Sequence, residues 1–275
     1  MEDFMNACKE AEKNFKPNII YLISENIDFI TNFAVGRKII LPAFDAKIIG
    51  VFEDNESITL QKIEKNVSMD IGILSKINEL LVNALAEGLI NEKQRVLCIL
   101  NTKLRGILFF EAKDIGFYKV MEKTQKKISP DLFSSLFELS LEIAREGREG
   151  VRFGAIFVVG DVNEMLKNTY ERIMNPFKGH SEEERTILKR ENWQTIKQFA
   201  QLDGACIVNK NGLIEGAGYY IMIKDWTTYL RGYGGRHAAC ASITKTTNAI
   251  AFCISSDGNL TIFDEGNEIY RIKVI

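Results

Sequence analysis

Apolar and polar positions alternate along this chain in short blocks. Residues 2 to 15 carry an amphipathic pattern of helical type. After Pro17 the run NIIYLIS reads as a buried strand, and KIILP (38–42) and AKIIGVF (46–52) read as two more. Residues 73 to 87, ILSKINELLVNALAE, place apolar side chains at helical spacing, with Gly88 as a natural stop. RVLCIL (95–100) and RGILFFEA (105–112) follow as strands. Strands that alternate with helices at this spacing predict an α/β unit.

The stretch 122 to 130, EKTQKKISP, is polar and ends in proline, and it marks a domain boundary between residues 128 and 129. Ser129 suits an N-cap and Pro130 a first helical position. Leu132, Phe133, Leu136, Phe137, Leu139, Ile143 and Ala144 then form one helix face, which ends where Gly147 and Gly150 interrupt it. Further strands are expected at 153–160, 204–210, 214–223, 249–255 and 260–263. The last two flank SSDGN and predict an antiparallel hairpin. Helices are expected at 193–202 and, briefly, after His237. The fold class is therefore α/β in two domains: a three-layer N-terminal unit (1–128), and a second unit (129–275) with a mixed central sheet flanked by helices.

Composition narrows the function classes. With 275 residues, 46% of them hydrophobic, the chain can bury a large core, and its net charge of −2 offers no general field for nucleic acid or an anionic membrane. No apolar run is long enough to span a bilayer, and the charged amino-terminal stretch is not a secretory signal. The 5 cysteines are scattered without a C-x-x-C pair, so free thiols in a cytoplasmic setting are expected. Only 2 histidines are present, which disfavours a Cys/His zinc site.

Two stretches carry candidate chemistry. GYGGRHAA (232–239) is neither a P-loop nor a dinucleotide fingerprint. One reading is a glycine turn with a surface arginine and a packed histidine. The other is an anion cradle: Gly234 and Gly235 let the backbone approach a ligand, Arg236 offers a planar fork for phosphate, and His237 offers a donor or metal ligand. Asp203-Gly204-Ala205 is open to two readings as well. It is either a helix-terminal turn, or a carboxylate that holds a cation or helps deprotonate a hydroxyl while Gly204 admits a ligand against the backbone. His180, in the polar loop 175–190, is expected to be exposed and not catalytic. Phe133 and Phe137 are expected in the core, and neither Trp193 nor Trp226 can be assigned to a ligand.

Taken together, Asp203-Gly204-Ala205, Gly234-Gly235-Arg236-His237, REGREGVRFGAIFVVGD (145–161), NPFKGH (175–180) and AIAFCISSDGNLTIF (249–263) resemble the diadenylate cyclase domain, most closely its soluble archaeal-type branch. Members of that family make cyclic di-AMP from two ATP molecules. The resemblance covers about residues 130 to 275. It implies a nucleotidyltransferase in which two cyclase domains face each other, each holding one ATP, with release of two pyrophosphates. It implies that Asp203 supports the attacking hydroxyl directly or through Mg²⁺ or Mn²⁺, with His237 as a second metal contact. Gly204, Ala205 and Ile221 would belong to the nucleotide pocket, and Gly234, Gly235, Arg236, His237 and Thr244 would serve the phosphates. The partners implied are ATP and a second copy of the chain, with no nucleic acid and no membrane.

The sequence departs from the family pattern at three places. Ala238 stands where a second arginine is usual, Thr244-Lys245 where Ser-Glu is common, and Asn248 where Asp is common. These departures leave a second expectation open, a nucleotide-binding sensor with weak or no catalysis. The N-terminal half resembles the α/β domain at the carboxyl end of pyruvate kinase, which implies a regulatory or oligomerising role.

Overall fold

The alternation of short apolar runs with amphipathic stretches builds two sheets in the computed structural model of the chain. It describes all residues except 1, 44, 64–72, 92, 149, 225–233 and 274–275, together with the side chains of 73–76, 79 and 86. Contacts divide the chain into two units, Met1–Lys119 and Val120–Val274.

The first unit runs α1 (Glu2–Phe15), β1 (Ile19–Ser24), α2 (Ile27–Ala34), β2 (Ile39–Ala43), α3 (Ala46–Phe52), β3 (Ile58–Lys62), α4 (Ile73–Ala86), β4 (Arg95–Asn101) and β5 (Arg105–Glu111). The division from the second unit falls inside α5 (Gly116–Thr124), ahead of the expected 128/129. The five strands lie in the order β3-β2-β1-β4-β5; all neighbours are parallel except β4 and β5. One face presents Ile20, Leu22, Ile39, Leu41, Leu97 and Ile99 to Cys8 of α1, Phe29 and Phe33 of α2, and Ile48 and Phe52 of α3. On the other face Gln61 accepts from the Tyr21 hydroxyl and donates to the Leu80 carbonyl of α4 (3.2 Å). The three layers follow from that split. The Gly88 stop is a Schellman turn: Gly88 has φ 71°, and Gly88 and Leu89 donate to Leu85 and Ala84.

One expectation is corrected here. AKIIGVF is helix α3, not a strand. Asp45 caps it by accepting from Lys47 N–H (2.9 Å), and only Ile48 and Phe52, one turn apart, are fully buried. A short apolar run cannot by itself choose between the two states. The parallel β2–β3 pairing decides it, because such strands need a crossover. The strand β3 and helix α2 also escaped the sequence pattern.

In the second unit the end of α5 is followed by α6 (Pro130–Glu146), where Ser129 caps Leu132 N–H (3.3 Å) and Gly147 ends the helix at φ 60°. It continues through β6 (Ala155–Gly160), α7 (Val162–Leu166), β7 (Thr169–Glu171), α8 (Glu182–Arg185), α9 (Trp193–Ala200), β8 (Ala205–Asn209), β9 (Ile214–Ile221), α10 (Gly235–Thr246), β10 (Ile250–Ile254), β11 (Asn259–Asp264) and β12 (Asn267–Lys273). Its seven strands lie in the order β12-β11-β10-β6-β8-β9-β7, mixed in direction, with β6 and β8 parallel. The expected hairpin is β10–β11. On one face Cys240, Ala241 and Ile243 of α10 pack on Ile156, Ala205, Ala251 and Phe263. Phe133 and Phe137 of α6 pack on Phe252 and Tyr270. Lys197 of α9, almost fully buried, is tied to Glu142 of α6 at 2.5 Å. Among the described residues no helix is long and apolar enough to cross a membrane.

Candidate functional site

The chain leaves α9 through a short turn and enters β8, and Asp203 and Gly204 sit at that junction. Asp203 is exposed. Gly204 has φ 120°, and a Cβ there would lie 2.6 Å from the carbonyl carbon of Gly218 in β9. Only glycine lets the β8 entry press so closely on β9, and that contact fixes where the Asp203 carboxylate emerges.

The second motif forms the start of α10. The helix begins at Gly235, earlier than expected, so Arg236 and His237 belong to its first turn. Gly234 is the N-cap and supplies no side-chain cap. His237 N–H donates to the Gly234 carbonyl (3.1 Å), and the positive end of the helix dipole lies at Gly235 and Arg236, an arrangement that suits an anion. Residues 232 and 233 of the motif, and Trp226, lie outside the described residues.

Both motifs meet in an open cleft of about 350 Å³. Asp203, Gly204, Gly235 and Arg236 line it together with Ile156, Ala205, Tyr219, Tyr220, Ile221, Ile223 and Ala239. Burial first, then the hydrogen bond that Tyr219 donates to Glu171, push the tyrosine up to about 12. Arg236 is exposed yet placed: a Cβ on Gly154 would lie 2.6 Å from its Nη1, so the guanidinium rests on bare backbone just ahead of β6. Gly154 was not singled out in the sequence, although it lies in a stretch that carries the resemblance.

A second depression of about 320 Å³ adjoins the first through Gly235 and Arg236, and Gly234, His237, Ser255, Ser256, Asp257, Asn259 and Arg271 complete it. Here the His237 Nε2 lies 3.4 Å from Thr261 Oγ1, and its ring stands edge-on to Phe263. Cys253 is held below the usual thiol range by the hydrogen bond from Cys240, with His237 and Arg236 adding to it against burial. Asp257 is lowered, first by the bond from Ser255, and accepts from Asn259 Nδ2 at 2.7 Å. The polar residues of this depression, Ser255, Asn259 and Arg271 among them, were not singled out in the sequence, because nothing local marks a hairpin as a cavity wall.

Two expected site residues lie elsewhere. Thr244 is buried on α10; its hydroxyl donates to the Cys240 carbonyl (2.8 Å) and accepts from Gly266 N–H (3.1 Å), so it does not reach the cleft. His237 and Asp203 line different depressions, which adjoin through Gly235 and Arg236. Among the described residues no group of three or more His, Cys, Asp or Glu is placed to hold a metal. Asp203 alone fits a divalent cation of the kind that takes one carboxylate and completes its shell with phosphate oxygens and water. Lys245 and Asn248 line a separate polar depression at the far end of α10, and Ala238 is buried and lines neither of the first two. His180 is exposed, and Trp193 is buried with its indole N–H on the Ile187 carbonyl (2.7 Å).

Residues 142–268, from within α6 into β12, match the family described as DAC, DisA bacterial checkpoint controller nucleotide-binding. This region of the chain belongs to the DAC family. It is similar to a diadenylate cyclase of Methanocaldococcus jannaschii, with 32% identity over 201 residues, 70% of this chain and 64% of that one. It is also similar to a diadenylate cyclase of Haloferax volcanii, with 32% identity over 160 residues, 57% of each chain. The matches thus span less than two thirds of both relatives. Among solved structures, DacA from Staphylococcus aureus aligns at 18% identity and TM-score 0.38, covering 56% of this chain and 89% of that one. A pyruvate kinase from Cryptosporidium parvum aligns at 13% identity and TM-score 0.33, covering 40% of this chain and 22% of that one. Scores this low establish no shared fold. The two motifs that form the cleft, at 203–205 and 234–237, both fall inside the DAC match.

Proposed function

We propose that the chain is a diadenylate cyclase that condenses two ATP into cyclic di-AMP and releases two pyrophosphates. The observation that carries this reading is the shared cleft. An exposed carboxylate, Asp203, and an exposed arginine at a helix N-terminus, Arg236, line one pocket whose other walls are largely apolar. A purine base fits against Ile156, Ile221 and Ile223. The triphosphate runs toward Gly235 and Arg236 and on to Ser255, Asn259 and Arg271. The Arg236 guanidinium and the positive end of α10 at Gly235 offset charge on the phosphates as the bond to the leaving pyrophosphate breaks.

Asp203 orients the ribose 3′-hydroxyl and accepts its proton as the oxygen attacks the α-phosphorus of the other nucleotide. One cleft holds one ATP, so two DAC units must face each other and the active species is a pair. Mg²⁺ or Mn²⁺, held by Asp203 and the phosphates, would supply charge neutralisation on the phosphate oxygens. The departures at 245 and 248 lie outside the cleft, which favours the cyclase reading over an inactive sensor. In this reading residues 129–275 are the catalytic half and 1–128 a regulatory or oligomerising half. The free cysteines (Cys8, Cys98, Cys206, Cys240 and Cys253), all buried, suit a cytoplasmic setting.

The test is direct. Purified chain is incubated with ATP and Mg²⁺ or Mn²⁺, and the products are separated by anion exchange with mass detection. A cyclic di-AMP peak is expected. ATP binding without product under either metal would move the assignment to the sensor, and absence of both would end the nucleotide reading.

A further inference from the structure

Strand β5 closes one edge of the first unit's sheet, and among the described residues no strand pairs with its outer side. It is seven residues long, RGILFFE, and none of them is fully buried. Phe109 is exposed at 37% and stacks on Phe15 of α1, itself 43% exposed, with ring centroids 4.6 Å apart. Edge strands of soluble proteins are ordinarily blunted by short length, proline, a bulge or inward charge. Here the charges stand only at the two ends, as Arg105 and Glu111, with an apolar centre between them.

The backbone phase of this edge can be read off. Just beyond the β4–β5 ladder, Ala112 N–H donates to the Gln94 carbonyl (2.9 Å), and at the other end Thr102 N–H donates to the Leu104 carbonyl (3.0 Å). In an antiparallel ladder bonded pairs alternate with non-bonded ones. The even-numbered residues of β5 therefore bond to β4, and Arg105, Ile107, Phe109 and Glu111 turn their N–H and C=O groups outward.

We propose that β5 is a self-docking edge, pairing antiparallel with β5 of a second copy about a two-fold axis through Leu108. In that register Arg105 faces Glu111 of the other copy at both ends, and Ile107 faces Phe109. These are the outward-pointing residues, so every such pair can exchange backbone bonds. Gly106 faces Phe110 and leaves room for the ring. A shift of one residue would set outward groups against inward ones. A shift of two would keep the bonding phase but lose the charge matching and shorten the overlap. The charge order of the strand is what selects a second copy of this chain as the occupant. This contact is independent of the pairing proposed for the DAC units.

The test uses the full chain. On the axis, Leu108 faces its own equivalent as a non-bonded pair, with Cα atoms about 4.5 Å apart, within disulfide reach. The native cysteines are all buried. Leu108→Cys is therefore expected to form a disulfide-linked dimer under mild air oxidation, reversible by dithiothreitol. Phe110→Cys is the control: its equivalent lies four residues along the strand, about 13 Å away, and no cross-link is expected. In sedimentation, Arg105→Glu should weaken the dimer by about tenfold. Adding Glu111→Arg to it should restore the parent affinity, since the pair is then reversed. Cross-linking of Leu108→Cys no faster than of Phe110→Cys would overturn the proposal, even if the parent chain dimerises elsewhere. So would a charge reversal that fails to rescue Arg105→Glu.

Discussion

The two units are built from similar apolar strands but treat their polar groups differently. In the first unit the polar side chains at the strand ends are occupied with one another. Asn101 Nδ2 donates to Ser24 Oγ (3.2 Å), and Ser24 Oγ also accepts from Asn26 N–H (3.1 Å). In the second unit the corresponding loops hold an exposed aspartate, a helix start with no side-chain cap and an arginine resting on a glycine. A fold that satisfies its own polar groups has little left with which to hold a ligand. The DAC unit keeps groups in reserve, beside Gly204 with its φ of 120° and at the helix start after Gly234, which supplies no side-chain cap.

The comparison can be broken or sharpened by four measurements. The largest effect is expected for Asp203→Asn, which should lower cyclic di-AMP formation by about 10²–10⁴-fold while leaving the thermal midpoint unchanged. Parent-like turnover would remove Asp203 from the chemistry. Next, Leu22→Ala in the first unit's core should cost about 2–5 kcal/mol in urea unfolding. Below its lowered midpoint, turnover should stay within twofold, and a catalytic loss under those conditions would show that the units are not functionally separable. Third, Gly204→Ala forces a Cβ against Gly218 at positive φ and should cost about 1–3 kcal/mol as well as activity. A silent Gly204→Ala would mean the close approach does not exist.

The smallest effect concerns Tyr219. Its folded value of about 12 lies above the ordinary 10.0, so the un-ionised hydroxyl stabilises the fold below pH 10, and that contribution is lost as pH rises toward 12. Tyr219→Phe should be less stable than the parent at pH 8, and the gap should close between pH 10 and 12. A gap that stays constant with pH would contradict the shift.

How much was legible in the sequence depends on the range of the forces involved. Ser129 and Pro130, the Gly88 stop, the β10–β11 hairpin and the six-residue strand β1 are local events, decided within a few residues, and the sequence carried them. The pairing of Asp203-Gly204-Ala205 with Gly234-Gly235-Arg236-His237 was suggested only by resemblance to a family. That Asp203 and Arg236 share a cleft was decided by the sheet, which brings the β8 entry beside the start of α10. The same packing turned His237 toward Thr261 and buried Thr244 against Gly266, and nothing in the spacing of either residue foretold it. AKIIGVF became helix because its neighbours pair in parallel, and Gly154 matters because a guanidinium lands on it. Caps, turns and periodicity act through neighbouring backbone atoms and are written in the chain. Which side chains end up facing one cavity depends on strand order and helix placement, and these are settled only when the whole core closes.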